Sequence, residues 1–176
     1  TTGIQWDESS MPYTDPTSNC VQMEESLDWI QYVIDQPMAF EPGEKYEYNS
    51  GATMLLSYLI NKTTGQDLAD YVKTNLFESL GITDYYWKHT PTGLTDAEGG
   101  LYLKSRDLAK FGYLYLHNGK WDSNQLLPEY WVENTQAKPV DTIWPNFKYG
   151  FQWWLMPYGK DNTALLASGL GGQRMI

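Results

Sequence analysis

Apolar residues recur at helical spacing along the first two thirds of the chain, and the last third switches to short aromatic and aliphatic runs between glycines. Residues 1–22 show no period; Pro, Ser, Thr, Asp and Asn dominate, and the stretch reads as loop. From Glu24 to Gln36 the set Leu27, Ile30 and Ile34 has helical spacing, ended by Pro37. Phe40 to Tyr48 reads as a turn at Pro42-Gly43 followed by an extended piece. A helix is predicted from about Ser50 to Thr63, with Leu55, Leu56, Leu59 and Ile60 on one side and Gly65 as its stop. Asp67 opens a second, with a stripe of Leu68, Tyr71, Val72, Leu76 and Leu80 closed by Gly81, and the short connection predicts an antiparallel pair.

Residues 84–103 carry Pro91, Gly93, Gly99 and Gly100 and read as loop with short strands. Ser105 is expected to cap a helix containing Leu108, Phe111, Leu114 and Tyr115 that ends at Asn118-Gly119. Pro128 suits the first turn of another, running through Asn134. Tyr149 to Leu155 reads as a strand, and Leu165 to Ser168 and Gln173 onward as further strand pieces around a glycine-rich corner. The expectation is one α+β domain over 1–176, mainly helical to about residue 140, with sheet strands over 141–176.

Composition narrows the function classes. A chain of 176 residues suits one domain, which at that size buries roughly 70% of its unfolded surface. The net charge of −10, with no Lys/Arg cluster, argues against a nucleic-acid partner. Cys20 is the only cysteine, so no internal disulfide can form, and neither His89 nor His117 has a second ligand at helical spacing; no metal or cofactor is expected. The longest apolar run, residues 52–60, is interrupted by Ser57 and Tyr58 and is far short of the ~20 residues of a membrane span.

The chain has no G-x-S-x-G, no phosphate-binding G-x-x-x-x-G-K-[ST] and no H-E-x-x-H. Two segments remain as candidate chemistry. In Tyr46-Glu47-Tyr48-Asn49-Ser50-Gly51 a tyrosine ends an extended piece just before a helix. A phenol with its ordinary pKa near ~10 is a poor base unless a cation stabilises the phenolate; beside a lysine it could pass a proton between a serine and a leaving group. The same residues also read as a buried tyrosine followed by an N-cap serine, and spacing alone favours that simpler reading. In Ala167-Ser168-Gly169-Leu170-Gly171-Gly172 a glycine-rich corner could expose N–H donors to an oxyanion, or be an ordinary hairpin corner.

Together with their surroundings, these segments resemble the β-lactamase-related serine hydrolases: class C β-lactamases, D-alanyl carboxypeptidases, related esterases and 6-aminohexanoate-dimer hydrolases. Four stretches carry the resemblance in the family's order: Thr1-Thr2-Gly3-Ile4, Pro42-Gly43 through Ser50-Gly51 and on to Leu80-Gly81-Ile82, Gly99-Gly100-Leu101-Tyr102 through Phe111, and Ser168 to Gly172. The resemblance implies a β-lactamase/transpeptidase-like fold, here incomplete, with the helical region packed on part of the antiparallel sheet. It implies Tyr48 as proton shuttle, Ser50 as the third position of the Tyr-x-Ser motif, and Ser168 and Gly169 as the end of the strand motif. The Leu170 N–H is then one oxyanion donor.

The implied reaction is acylation of a serine by a small-molecule amide or ester, then hydrolysis of the acyl-enzyme. Two departures stand out. None of the ten serines has lysine three positions on, so the family's Ser-x-x-Lys nucleophile is expected before Thr1, and the isolated chain is expected to be inactive. Ala167 stands where the strand motif often has Lys or His, which favours an esterase or amidase over β-lactams and D-alanyl peptides. The resemblance also implies a periplasmic or secreted location, and self-association of an isolated piece through exposed apolar surface. The rival readings are a carbohydrate- or peptide-binding module built on Trp144, Trp153, Trp154 and Tyr158, and a family member that kept the fold and lost the chemistry.

Overall fold

The computed structural model describes residues 1–160 and 162–176. The chain divides into two compact units, residues 1–75 with 85–102, and residues 76–84 with 103–176.

The first unit is built around helices. The expected helix over Glu24–Gln36 is two shorter ones, α1 (Asn19–Glu25) and α2 (Trp29–Ile34). The break is set by Asp28, whose side chain accepts the Gln31 N–H and caps α2. Leu27 therefore falls between helices and is 85% exposed, while Trp29, Ile30 and Val33 turn inward. α3 (Ser50–Thr64) ends as expected at Gly65, which adopts the left-handed conformation at φ 71°. Its buried side differs from the expected leucine stripe. Gly51, Met54 and Ser57 face the core, and Leu56 and Leu59 are exposed. Trp6, Cys20, Met23, Trp29, Ile30, Val33 and Met54 form one apolar cluster, with Ile4, Tyr32, Leu55 and Tyr58 packed against it.

Gly51 is demanded by that packing, since a Cβ there would lie 2.6 Å from both the Trp6 ring and the Val33 methyl. Asp67 caps α4 (Leu68–Val72) and also accepts from the backbone and hydroxyl of Thr95, which is fully buried. α4 runs into a π-helical turn, Lys73–Phe77. The wider turn changes the phase of the predicted stripe, so Leu68 and Phe77 are buried while Tyr71, Val72 and Leu76 are only partly covered. Strands β1 (Tyr85–Trp87) and β2 (Leu101–Leu103) pair as a two-stranded sheet.

In the second unit, α5 (Ser105–Leu116) starts at Ser105, with Lys104 at the cap position and no side-chain cap bond. Ser105 is thus the first helical residue and not the cap. α5 ends where Asn118 and Gly119 take positive φ. A small hairpin, β3 (Lys120–Trp121) with β4 (Asn124–Gln125), leads to α6 (Glu129–Ala137) behind Pro128. A five-stranded antiparallel sheet follows in sequential order: β5 (Val140–Asp141), β6 (Lys148–Gly150), β7 (Trp153–Tyr158), β8 (Asn162–Ser168) and β9 (Arg174–Met175). The aromatic run expected as one strand is a hairpin: Gly150 pairs with Trp153, and Phe151 and Gln152 make the two-residue turn at φ 50° and 68°. Phe77, Leu80, Ile82, Leu114, Val132 and Leu155 are this unit's buried apolar residues, and Phe77 meets Phe111 edge to face.

Candidate active site: a buried carboxylate beneath the Tyr48 segment

The Tyr48-Asn49-Ser50 segment arrives at α3 in extended conformation, and Asn49 is the cap: its side chain accepts the Ala52 N–H at 2.7 Å. Ser50 is the first helical residue and its hydroxyl is spent elsewhere. It donates to Glu8 Oε1 at 2.8 Å, and the Ser50 N–H donates to Oε2 at 3.0 Å. Trp6 Nε1 also donates to Oε2, and the Tyr13 hydroxyl donates to Oε1 at 3.1 Å. Glu8 is 2% exposed, so four donors satisfy a carboxylate that water barely reaches. Sequence reasoning missed Glu8 because it lies in a polar loop, 42 positions before its main partner.

Tyr48 is half-buried beside this charge. Burial, then the negative charges of Glu8 and Glu98, push its phenol up to about 12. Its immediate surroundings therefore oppose a phenolate, and Tyr48 could act as a base only with a cation brought close to it.

A second cluster was also missed. Cys20, Glu24 and Glu98 each bring a ligand-type atom within 4.8 Å of the others, the one such group of three among the described residues. Burial and a hydrogen bond with Glu24 push the Glu98 carboxyl up to about 8, and burial with the charges of Glu98, Glu8 and Glu24 pushes the Cys20 thiol far above its ordinary range. At neutral pH Glu98 therefore keeps its proton beside a neutral thiol, and a protonated thiol is a poor metal ligand. Glu98 follows Asp96, which is 3% exposed and accepts the N–H groups of Glu98 and Gly99 at 3.1 and 3.2 Å. The backbone at Gly100 passes so close that a Cβ would meet the Asp96 carboxylate at 2.7 Å.

Ser168, Gly169 and Leu170 lie in the second unit, and Tyr48 and Ser50 in the first. Ser168 ends β8 in register with Arg174 of β9. The corner between them is tied by Gly169 N–H to Gln173 O at 3.1 Å and Gly172 N–H to Gly169 O at 3.0 Å, with Leu170 79% exposed at its tip. Ser168 and Gly169 line a depression of about 150 Å³ with Leu108, Ala167, Gln173, Arg174 and Met175. The tryptophans of β7 point to opposite faces of the sheet: Trp153 packs on Tyr115 of α5, and Trp154 on Tyr149 and Trp144. Trp144, Trp153, Trp154 and Tyr158 therefore do not share one platform.

The family profile described as Beta-lactamase matches residues 1–176, the whole chain. The chain is a member of the Beta-lactamase family. This places it among the β-lactamase-related serine hydrolases, with the partial α+β fold expected from the sequence. It is similar to a 6-aminohexanoate-dimer hydrolase of Paenarthrobacter ureafaciens, 25% identical over 141 residues, or 74% of this chain and 36% of that one. A Bacillus anthracis structure solved as a candidate 6-aminohexanoate-dimer hydrolase superposes at TM-score 0.75 with 25% identity, covering 98% of this chain and 47% of its own. A D-amino acid amidase from Ochrobactrum anthropi SV3 shares the fold at TM-score 0.63 and 18% identity, covering 94% of this chain and 55% of that one. This Beta-lactamase family chain thus spans about half the length of these relatives, or less.

Proposed function

We propose that residues 1–176 supply the proton-transfer and oxyanion segments of a serine hydrolase that cleaves amide or ester bonds through an acyl-enzyme. Tyr48 moves the proton between the nucleophile and the leaving group, Ser50, held by Glu8, anchors the segment that carries Tyr48, and the Ser168-Gly169-Leu170 corner receives the acyl oxygen. The observation that carries this reading is the match of the whole chain to the Beta-lactamase family, together with the delivery of Tyr48-Asn49-Ser50 to the N-terminus of α3. Burial and the charges of Glu8 and Glu98 disfavour the Tyr48 phenolate, so Tyr48 needs a cation to become a base. A Ser-x-x-Lys segment supplies both that cation and the nucleophile. None of the ten serines in residues 1–176 has the required lysine, so the nucleophile comes from sequence beyond them, and these residues alone do not turn over substrate. The hydrolase and amidase names of the similar proteins support amide chemistry, and the uncharged Ala167 favours substrates without a carboxylate at that position.

The test is the intact mass of the longer polypeptide after brief exposure to a fluorophosphonate, with peptide mapping of the adduct. One adduct on a serine three residues before a lysine, outside residues 1–176, is the expected result. An adduct within residues 1–176, or none where a control hydrolase is labelled, refutes the reading. Tyr48→Phe is expected to lower kcat by about 10²–10⁴-fold, the range for a lost general acid–base group.

A further inference from the structure

We propose that Glu8 is a positioning residue for the Tyr48 site: its buried carboxylate holds both the N–H and the hydroxyl of Ser50, fixing the first turn of α3 and the approach of Tyr48 to it. This role rests on the reading of Tyr48 as the proton-transfer residue.

Three observations carry it. The first is that Glu8 is buried without a cation, for none of the five ion pairs among the described residues includes it. A carboxylate in such a place is costly unless its lone pairs are filled, and here four donors from Trp6, Tyr13 and Ser50 fill them. The second is that α3 has no acidic residue in its own first turn. Glu8 reaches across 42 positions to occupy the place where a negative charge is favoured by the helix N-terminus. The third is that the grip is two-pronged. One hydrogen bond would leave Ser50 free to pivot; bonds to its backbone and side chain by opposite oxygens of one carboxylate fix the rotation of the residue two positions after Tyr48.

A plain structural clamp would make the same bonds, so the experiment separates bonds from charge. In Glu8→Gln the amide oxygen can replace Oε2, accepting from Trp6 Nε1 and the Ser50 N–H. The amide nitrogen can replace Oε1, donating to the Ser50 and Tyr13 hydroxyls once these rotate. The variant therefore keeps the bonds and loses only the charge. Glu8→Ala loses both.

Both are measured in the longer polypeptide, by kcat and KM for p-nitrophenyl acetate across pH, with Tyr48→Phe alongside. Glu8→Ala is expected to lower kcat by about 10- to 100-fold with little change in KM, as misplacement of a reacting group does. Glu8→Gln is expected to recover most of that loss while moving the Tyr48-dependent limb of the pH profile to lower pH.

Wild-type kcat in a folded Glu8→Ala variant overturns the proposal. If Glu8→Ala does not fold, Glu8→Asp decides: it keeps the charge but is one methylene too short for the two-pronged grip, so a fall in kcat at unchanged KM supports the role and wild-type kcat overturns it. Activity of Tyr48→Phe equal to wild type sinks the reading of Tyr48 and the Glu8 role with it. A Tyr48→Phe loss with unaffected Glu8 variants sinks the Glu8 role alone.

Discussion

Gly51→Ala is the sharpest probe of how tightly the Tyr48 segment is held. Two effects oppose each other. Alanine is the better helix former by about 0.8–1.0 kcal/mol, which favours the variant. Against this, the new methyl would sit 2.6 Å from Trp6 Cη2, 2.8 Å from Trp6 Cζ3 and 2.6 Å from Val33 Cγ2. Comfortable carbon–carbon separations are about 3.5–4.0 Å, so each neighbour must retreat by roughly 1 Å. Val33 is fully buried and Trp6 is anchored on Glu8 through its indole N–H, so neither can yield cheaply. Overpacking of this kind typically costs about 1–3 kcal/mol; two neighbours that cannot yield put this site at about 2–3 kcal/mol, leaving a net loss of about 1–2 kcal/mol. Urea unfolding followed by far-UV circular dichroism and tryptophan fluorescence gives the difference directly. Gly99→Ala is the control: a Cβ there meets nothing within 4 Å and φ is not positive, so its stability should be unchanged or slightly raised. A Gly51→Ala protein as stable as wild type would refute the argument that Trp6, Val33 and α3 are locked together.

Two further predictions concern buried acids. Glu98 keeps its proton up to about 8 in the folded protein, against an ordinary value of 4.5. The folded state then binds a proton that the unfolded chain has lost, so its contribution is full below about 4.5 and disappears as pH rises to about 8, an amplitude of roughly 5 kcal/mol. Unfolding free energies near pH 5 and near pH 9 should show this fall, and Glu98→Gln should flatten it; an unchanged slope in the variant would assign the effect elsewhere. Asp67 behaves in the opposite sense. Although burial works against it, the hydrogen bonds from Thr95 and Ala69 and the nearby His89 hold its carboxyl below the usual range, so its contribution is lost as pH falls through the acid region. Asp67→Ala strands the buried N–H and hydroxyl of Thr95 and removes the α4 cap, for a loss of about 2–4 kcal/mol in the same unfolding assay; a loss below about 0.5 kcal/mol would contradict that assignment.

Local signals in the sequence were legible where one residue decides the outcome by itself. Gly65 and Asp67 mark the end of α3 and the start of α4 because a left-handed glycine and a capping carboxylate act within one turn. The α+β order and the strand-then-corner pattern of β8 and β9 were legible for the same reason. What could not be read was which side of a helix is covered. In α3 both the leucine side and the Gly51-Met54-Ser57 side have helical spacing, and packing by Trp6 and Val33 selects the less apolar one. The break at Ser26-Leu27-Asp28 was hidden for a related reason, as a capping aspartate inside an apolar period resembles a surface position. In the candidate site the motif drew attention to the Tyr48-Asn49-Ser50 segment, which leads directly into α3. The carboxylates around it were not legible, since Glu8 and Glu98 acquire meaning only from residues tens of positions away.

That separation has a consequence for how the chain folds. The bond between Glu8 and Ser50 closes a loop of 42 residues, and closing a flexible loop of that length costs about 3 kcal/mol before any contact offsets it. The first turn of α3 can form locally, but its final orientation waits until residues 6–8 have returned to it. In refolding kinetics this junction should have low φ-values, with Glu8 substitutions speeding unfolding far more than they slow folding. The junction between residues 6–8 and the start of α3 would then be among the last parts of the fold to lock and the first to loosen.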